Sequence, residues 1–352
     1  MSIYSVNRTG SMALAQVVAN ESYKSEDIGR ILYETQVNDM AFFEAVLACD
    51  FNELKSMREG TLLESEVASL NEAAFGEMVS KLVEKLKAFW SKLKAIFQNA
   101  IEKIAAYALN DGKAFVNQFK KSVGEKVNSW NGKVEKVETF NLQHKCFTVP
   151  NHFKLTDMVK RMTEHGDSDM NTAELVGWEL AELVGATQPV GIKDYAAKAH
   201  NVARNSPEDL TSENVNEYCD AISKANARVL VLKQRQRDAE KSINNAMKEL
   251  KDMAKGSENE KESIVRINSV VSAYETYVAT ICKTGILVVR EDMKSRRVAL
   301  AKAMADINKS TKELSECVVL EAVDEFDAAM TDDLNLDAET KTAVDELVNA
   351  EV

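Results

Sequence analysis

The sequence predicts a mainly α, elongated helical protein: amphipathic N-terminal helices, a small mixed middle segment and a C-terminal antiparallel helical hairpin with coiled-coil character. Three observations carry this. Only three prolines and 13 glycines interrupt 352 residues, so helix-breaking positions are scarce. Apolar residues recur in steps of three and four from Phe75 to Leu109, the spacing of one helix face. The same spacing then runs through two long stretches after Pro207, separated by Lys255-Gly256-Ser257.

Four regions follow. Residues 1–126 form an N-terminal helical region. Ser25 can cap a helix whose stripe begins at Ile28, Ile31 and Leu32, with Glu26 and Asp27 suited to its positive end. A short helix spans roughly 51–58, and Thr61 with Glu64 matches a capping box. The organising helix then covers 75–109, about 52 Å at 1.5 Å per residue. Its apolar face contains Leu82, Leu86, Phe89, Trp90, Leu93, Ile96 and Phe97. Six lysines and three glutamates are distributed along it, a net of +3. Gly76 is the expected bend, and Asn110-Asp111-Gly112 the expected terminating turn before a further amphipathic piece at 114–123.

Residues 127–205 form the mixed middle. Val134, Val137, Phe140, Leu142, Phe147 and Val149 alternate in part with polar residues, which predicts one or two short strands. Short helices are expected at 155–164, at 172–184 with Gly185 as terminator, and near 194–203. Residues 206–318 form the hairpin. Ser206-Pro207-Glu208-Asp209 reads as its start. The first arm places Val215, Tyr218, Ile222, Ala225, Val229, Leu232, Gln236, Ala239, Ile243, Ala246, Leu250 and Met253 on one seam. The second runs from Ile264 to Leu314, with a stutter at Val278, Cys282 and Ile286. Residues 319–352 form an acidic tail. From Glu321 to Val352 there are eleven acidic residues and one lysine, a net of −10 out of −12 for the whole chain.

Composition excludes several function classes. A net acidic chain disfavours nucleic acid as a partner. Five scattered cysteines without paired spacing fit a reducing compartment. No window approaches a membrane-spanning length, and the N-terminal residues carry no secretory pattern. His144, Cys146 and His152 lack the paired spacing of a zinc site, and Asp333–Val344 departs from a calcium loop at Ala338 and Val344. No nucleophile elbow, P-loop or dinucleotide glycine pattern is present. The expectation is a non-enzyme without cofactor or metal.

The layout resembles that of helical virion proteins of large tailed bacteriophages. The resemblance rests on TLLESE at Thr61–Glu66, the basic helix LVEKLKAFWSKLKAIF at Leu82–Phe97, the extended segments within Val137–Phe153 and the long heptad hairpin. It implies a structural or assembly component, located in the virion and in the host cytoplasm during assembly. Its partners would be other virion proteins or copies of itself, met through helix faces such as 82–97. The alternative reading is a membrane-active or pore-forming helical protein, since an interfacial helix also opposes Trp, Phe and Leu to lysines.

Overall fold

The computed structural model describes residues 50, 51, 54, 72–151, 155–164, 172–253 and 260–310. The expected helices at 25–50 and 61–74, the calcium-loop-like stretch and the acidic tail lie wholly or largely outside these residues. Among the described residues the elements are α1 (Glu72–Tyr107), α2 (Lys113–Val123), β1 (Val134–Val137), α3 (Leu155–Glu164), α4 (Thr172–Val184), α5 (Ile192–Ala203), β2 (Glu208–Leu210), α6 (Val215–Ser223), α7 (Asn226–Met253) and α8 (Glu260–Ser310). The chain is mainly helical, with one two-stranded antiparallel sheet of β1 and β2.

Helix α8 is the axis of the molecule. Its 51 residues extend about 76 Å at 1.5 Å per residue. Helices α1 to α7 all pack against it. The seam from Ile264 to Met293 is buried, and so are Val270, Ala273, Tyr277, Ile281 and Val288 on its other sides. A helix that is apolar around most of its circumference belongs inside a bundle.

Side-chain pairs give the directions. Along α7 the residues Arg228, Arg235 and Ser242 meet Asp292, Gly285 and Tyr274 of α8. One number rises as the other falls, so the two helices form the antiparallel hairpin that the periodicity predicts. Lys85 of α1 meets Glu275, and Tyr107 meets Arg297. Both numbers rise together, so α1 runs parallel to α8. The hairpin is therefore not a free arm. Helix α1 packs extensively on α7 as well as on α8, giving a three-helix frame.

Two cores share α8. The larger gathers α1, α3, α4, α5 and α7 around its first two-thirds. The smaller surrounds Ala299, Leu300, Ala303 and Ile307 with Val116, Phe119, Val123, Trp130, Leu210, Tyr218 and Ile222. Trp130 Nε1 donates to Asp306 at 2.6 Å, and Asn308 donates to Ser122 at 2.9 Å.

Several local expectations are corrected. Helix α1 passes through Gly76 without interruption. Asn110-Asp111-Gly112 is not a turn. A π-helical turn at Ala108–Gly112 carries α1 into α2. Gly112 is buried in ordinary helical backbone, and a Cβ there would collide with the Ile222 carbonyl. Its lack of a side chain lets α6 approach closely. Pro207 does not start a helix. Glu208–Leu210 pairs with Val134–Val137 instead, and the expected single arm from Val215 breaks at Lys224, which is extended. Strand β1 itself falls where alternation places it. Its bulge at Lys136, φ 55°, is held by Asp209, which accepts from the Lys136 amide at 3.1 Å. Helices α3 and α4 match their expected bounds. Gly185 at φ 66° closes α4, with Ala186 N–H donating to Ala181 and Gly185 N–H to Glu182, a Schellman arrangement.

Two of the helical glycines, Gly76 and Gly112, respond oppositely to a methyl group. Gly76 has open space around its Cβ position, so Gly76→Ala raises stability by about 0.5–1 kcal/mol. Gly112→Ala lowers it by about 1–3 kcal/mol through backbone overlap with Ile222. Urea midpoints of the two variants, at unchanged slope, check both.

Candidate functional site

The amphipathic face of α1 is spent on the interior. Leu82, Leu86, Phe89, Leu93, Ile96 and Phe97 are each at most 2% exposed. Trp90 is half-buried and packs on the same core. The lysines divide. Lys85 lies inward, 3.2 Å from Glu275 and 3.2 Å from the Ser272 hydroxyl. Lys81, Lys87 and Lys94 point to solvent, and Lys87 pairs with Glu84 at 2.6 Å.

The most distinctive chemistry lies between α7 and α8. Arg228, Arg235 and Ser242 are spaced seven apart and all buried. Each stands one residue before a seam position: Val229, Gln236 and Ile243. Arg228 Nη2 donates to Asp292 at 2.6 Å and Nη1 to the Ala221 carbonyl. Asp292 also accepts from Arg296 Nε at 3.1 Å and from the Phe140 amide at 3.2 Å. This carboxylate joins α7, α8 and the segment after β1. Burial pulls the Arg228 guanidinium below its ordinary value, and Asp292 opposes that shift.

Arg235 is held by backbone carbonyls and an aromatic ring. It donates to the Gly285 carbonyl and, at 2.6 Å, to the Leu142 carbonyl. Its guanidinium carbon sits 5.1 Å from the centroid of the Phe147 ring. Gly285 makes room for this: a Cβ there would lie 3.0 Å from Arg235 Nη1 and 3.1 Å from the Phe147 carbonyl. Burial pushes Arg235 down to about 10. Farther along, Ser242 and Tyr274 share a hydrogen bond of 2.7 Å.

The turn at Lys145–Phe147 docks on this layer. His144 Nδ1 accepts from the Cys146 amide at 3.3 Å and lies 3.0 Å from its sulfur. Tyr195 donates to the Cys146 carbonyl at 2.5 Å. Burial pushes the thiols of Cys146 and Cys282 up to about 12, which makes them poor nucleophiles at neutral pH. Among the described residues no group of three or more His, Cys, Asp or Glu could hold a metal ion. No described helix is long and apolar enough to cross a membrane. The arrangement fixes helices against one another: Arg228 and Arg296 face Asp292, and Arg235 faces two backbone carbonyls.

Sequence reasoning found the apolar faces and missed this polar layer. The four-and-three spacing places Gln236 on the seam, but it is half-exposed while Arg235 is buried. The available signal was the seven-residue recurrence of Arg228, Arg235 and Ser242 beside the apolar positions.

Compared with protein-family models, curated proteins and solved structures, the chain matches none.

Two outcomes test the polar layer. Asp292→Ala leaves two guanidiniums without their shared carboxylate and destabilises the fold by about 3–5 kcal/mol, read from denaturant midpoints. His200 lies between the Phe140 and Phe147 rings, at 5.4 and 6.3 Å, with its Nε2 buried and unpaired. Burial holds it below its ordinary 6.5. The unfolded chain therefore takes up this proton first. The stability that neutral His200 contributes is full above pH 6.5 and is lost as pH falls through the lower folded value. Melting temperature should drop between pH 7 and 5, and His200→Phe should flatten that dependence.

Proposed function

We propose that this chain is a non-enzymatic structural or assembly component of a bacteriophage particle. It acts through helix-mediated contacts with other particle proteins or with copies of itself. It resides in the virion, and in the host cytoplasm during assembly. The observation that carries this reading is the frame itself. A single 51-residue helix is sheathed by α1 and α7 and locked to them by buried polar layers. Such a strut supports a spacing role between other components. The layout of the basic helix, the extended segments and the hairpin supports the same class by its resemblance to helical virion proteins.

The membrane-active alternative makes a different demand. The face Leu82–Phe97 is in the core, so α1 would have to leave the bundle to reach a lipid surface. Burial of each large side chain contributes about 1.5–3 kcal/mol, and all of that opposes release.

Purified particles of the encoding phage should contain the protein at a fixed copy number by quantitative mass spectrometry. Light scattering of the isolated chain should show a defined multiple of 39.1 kDa or a complex with another particle protein. A monomer absent from every particle overturns the proposal. Liposome leakage that Trp90→Glu abolishes would replace it with the membrane reading.

A further inference from the structure

The outward face of α7 carries a second regular pattern. Leu230, Lys233, Arg237, Lys241, Asn244, Lys248 and Lys251 follow one another in steps of three and four, and all are exposed. On a helix they form one stripe, and its basic part runs about 27 Å from Lys233 to Lys251 at 1.5 Å per residue. Leu230 is 65% exposed, more than any other large apolar side chain among the described residues. The acids of α7 stand aside: Asp238, Glu240 and Glu249 are half-buried on the flanks. Asp252, in the last turn, is the one exposed acid of α7. The exposed lysines of α1 offer no such run, because Glu77, Glu84 and Glu102 are exposed among them.

A row of like charges on one face is self-repelling and is relieved by an anionic occupant. We propose that the acidic segment Glu321–Val352 of the same chain docks on this stripe. The charges complement, five cationic side chains against a net of −10. The reach fits. The described part of α8 reaches Ser310 beside α2, where Asn308 meets Ser122. Asp292 marks the level at which α7 begins, through Arg228. Lys233 is five residues farther along the antiparallel partner, so it lies roughly 35 Å back from Ser310 along the axis at 1.5 Å per residue. Residues 311–320 span up to about 35 Å when extended. An extended connection is thus long enough to bring the acidic residues to the start of the basic stripe, and the 32 residues from Glu321 to Val352 are enough to follow it. Leu334, Leu336, Leu347 and Val348 of the segment supply apolar contacts for Leu230. A nucleic acid is the weaker occupant, because the −10 segment would compete for the same side chains at high effective concentration.

The test uses the full-length protein. Zero-length carbodiimide coupling should join carboxylates of residues 321–352 to Lys233, Lys241, Lys248 or Lys251, within one chain. An equal mixture of ordinary and ¹⁵N-labelled protein distinguishes such links from links between copies. Raising salt from about 0.1 M to about 0.5 M cuts the screening length from about 10 Å to roughly 4 Å, and the yield should fall severalfold. Lys233→Glu with Arg237→Glu and Lys241→Glu should abolish the links at positions 233 and 241 and cut those at Lys248 and Lys251 severalfold, at unchanged helical circular dichroism. The salt series needs no variant and stands if that triple variant fails to fold. Links that run to other surfaces, links only between copies, or yields indifferent to salt overturn the proposal. So does tight binding of a 20-base-pair duplex by the intact chain that the triple variant loses, which would make the stripe a nucleic-acid site.

Discussion

The hairpin depends on Arg235 entering the flank of α8 at Gly285. Apolar seams alone leave two antiparallel helices free to slide by a heptad, because leucine, isoleucine and valine pack nearly as well one repeat away. A guanidinium reaching the Gly285 carbonyl has one place to go. A Cβ on residue 285 would crowd Arg235, so the arginine and the glycine specify each other. Arg228 with Asp292 and Ser242 with Tyr274 repeat the restraint on either side. Slipping the register would strand two buried cations and a buried carboxylate, and an uncompensated buried charge costs several kcal/mol. These layers act on specificity of register more than on net stability.

The same layers fix the rest of the chain. Asp292 accepts the Phe140 amide and Arg235 grips the Leu142 carbonyl. The irregular stretch from Glu138 to Asn151 is thereby set against the hairpin by hydrogen bonds to its backbone, which add to its bridge of Phe140 with Arg204 and its 3-10 turn at Lys145–Phe147. That stretch carries Phe147, whose ring stacks on Arg235, and the Cys146 carbonyl that receives Tyr195 from α5. A chain with little sheet thus orders a long connection by using buried side-chain donors and acceptors from one helix pair. Beyond Asp292, α8 serves a second core, so a disturbance at the polar layer would reach both.

Much of the helix layout was legible because periodicity is local. Helices α3 and α4 could be bounded to the residue, since short-range periodicity and, for α4, the terminating Gly185 act within a few residues. Three features were not legible, for a common reason: they are set by partners distant in sequence. Gly112 reads as a turn residue, yet it is conformationally ordinary and small because α6 passes over it. Ser206-Pro207 reads as a helix start, but β1, some 70 residues earlier, offers an edge for Glu208–Leu210 to pair with. Arg228 and Arg235 carry no local sign that they turn inward, because only Asp292, Gly285 and Leu142 show why cations belong inside. The face from Leu82 to Phe97 was legible as a packing surface. What it packs on, α7 and α8 of its own chain, was not.

The cations of α7 sort by chemistry as well as by position. Those turned inward are arginines, whose planar fork can serve a carboxylate or two carbonyls at once and tolerates weak hydration. Those turned outward are lysines with one arginine, which keep their hydration and leave the surface charged. A helix divided this way does two separate jobs. Its inner cations fix where α8 and the middle segment sit, and its outer cations remain available to an anionic partner. Because the inner layer holds the helix straight and in register, the outer charges keep a constant spacing. A partner that reads that spacing therefore depends on Arg235 without touching it.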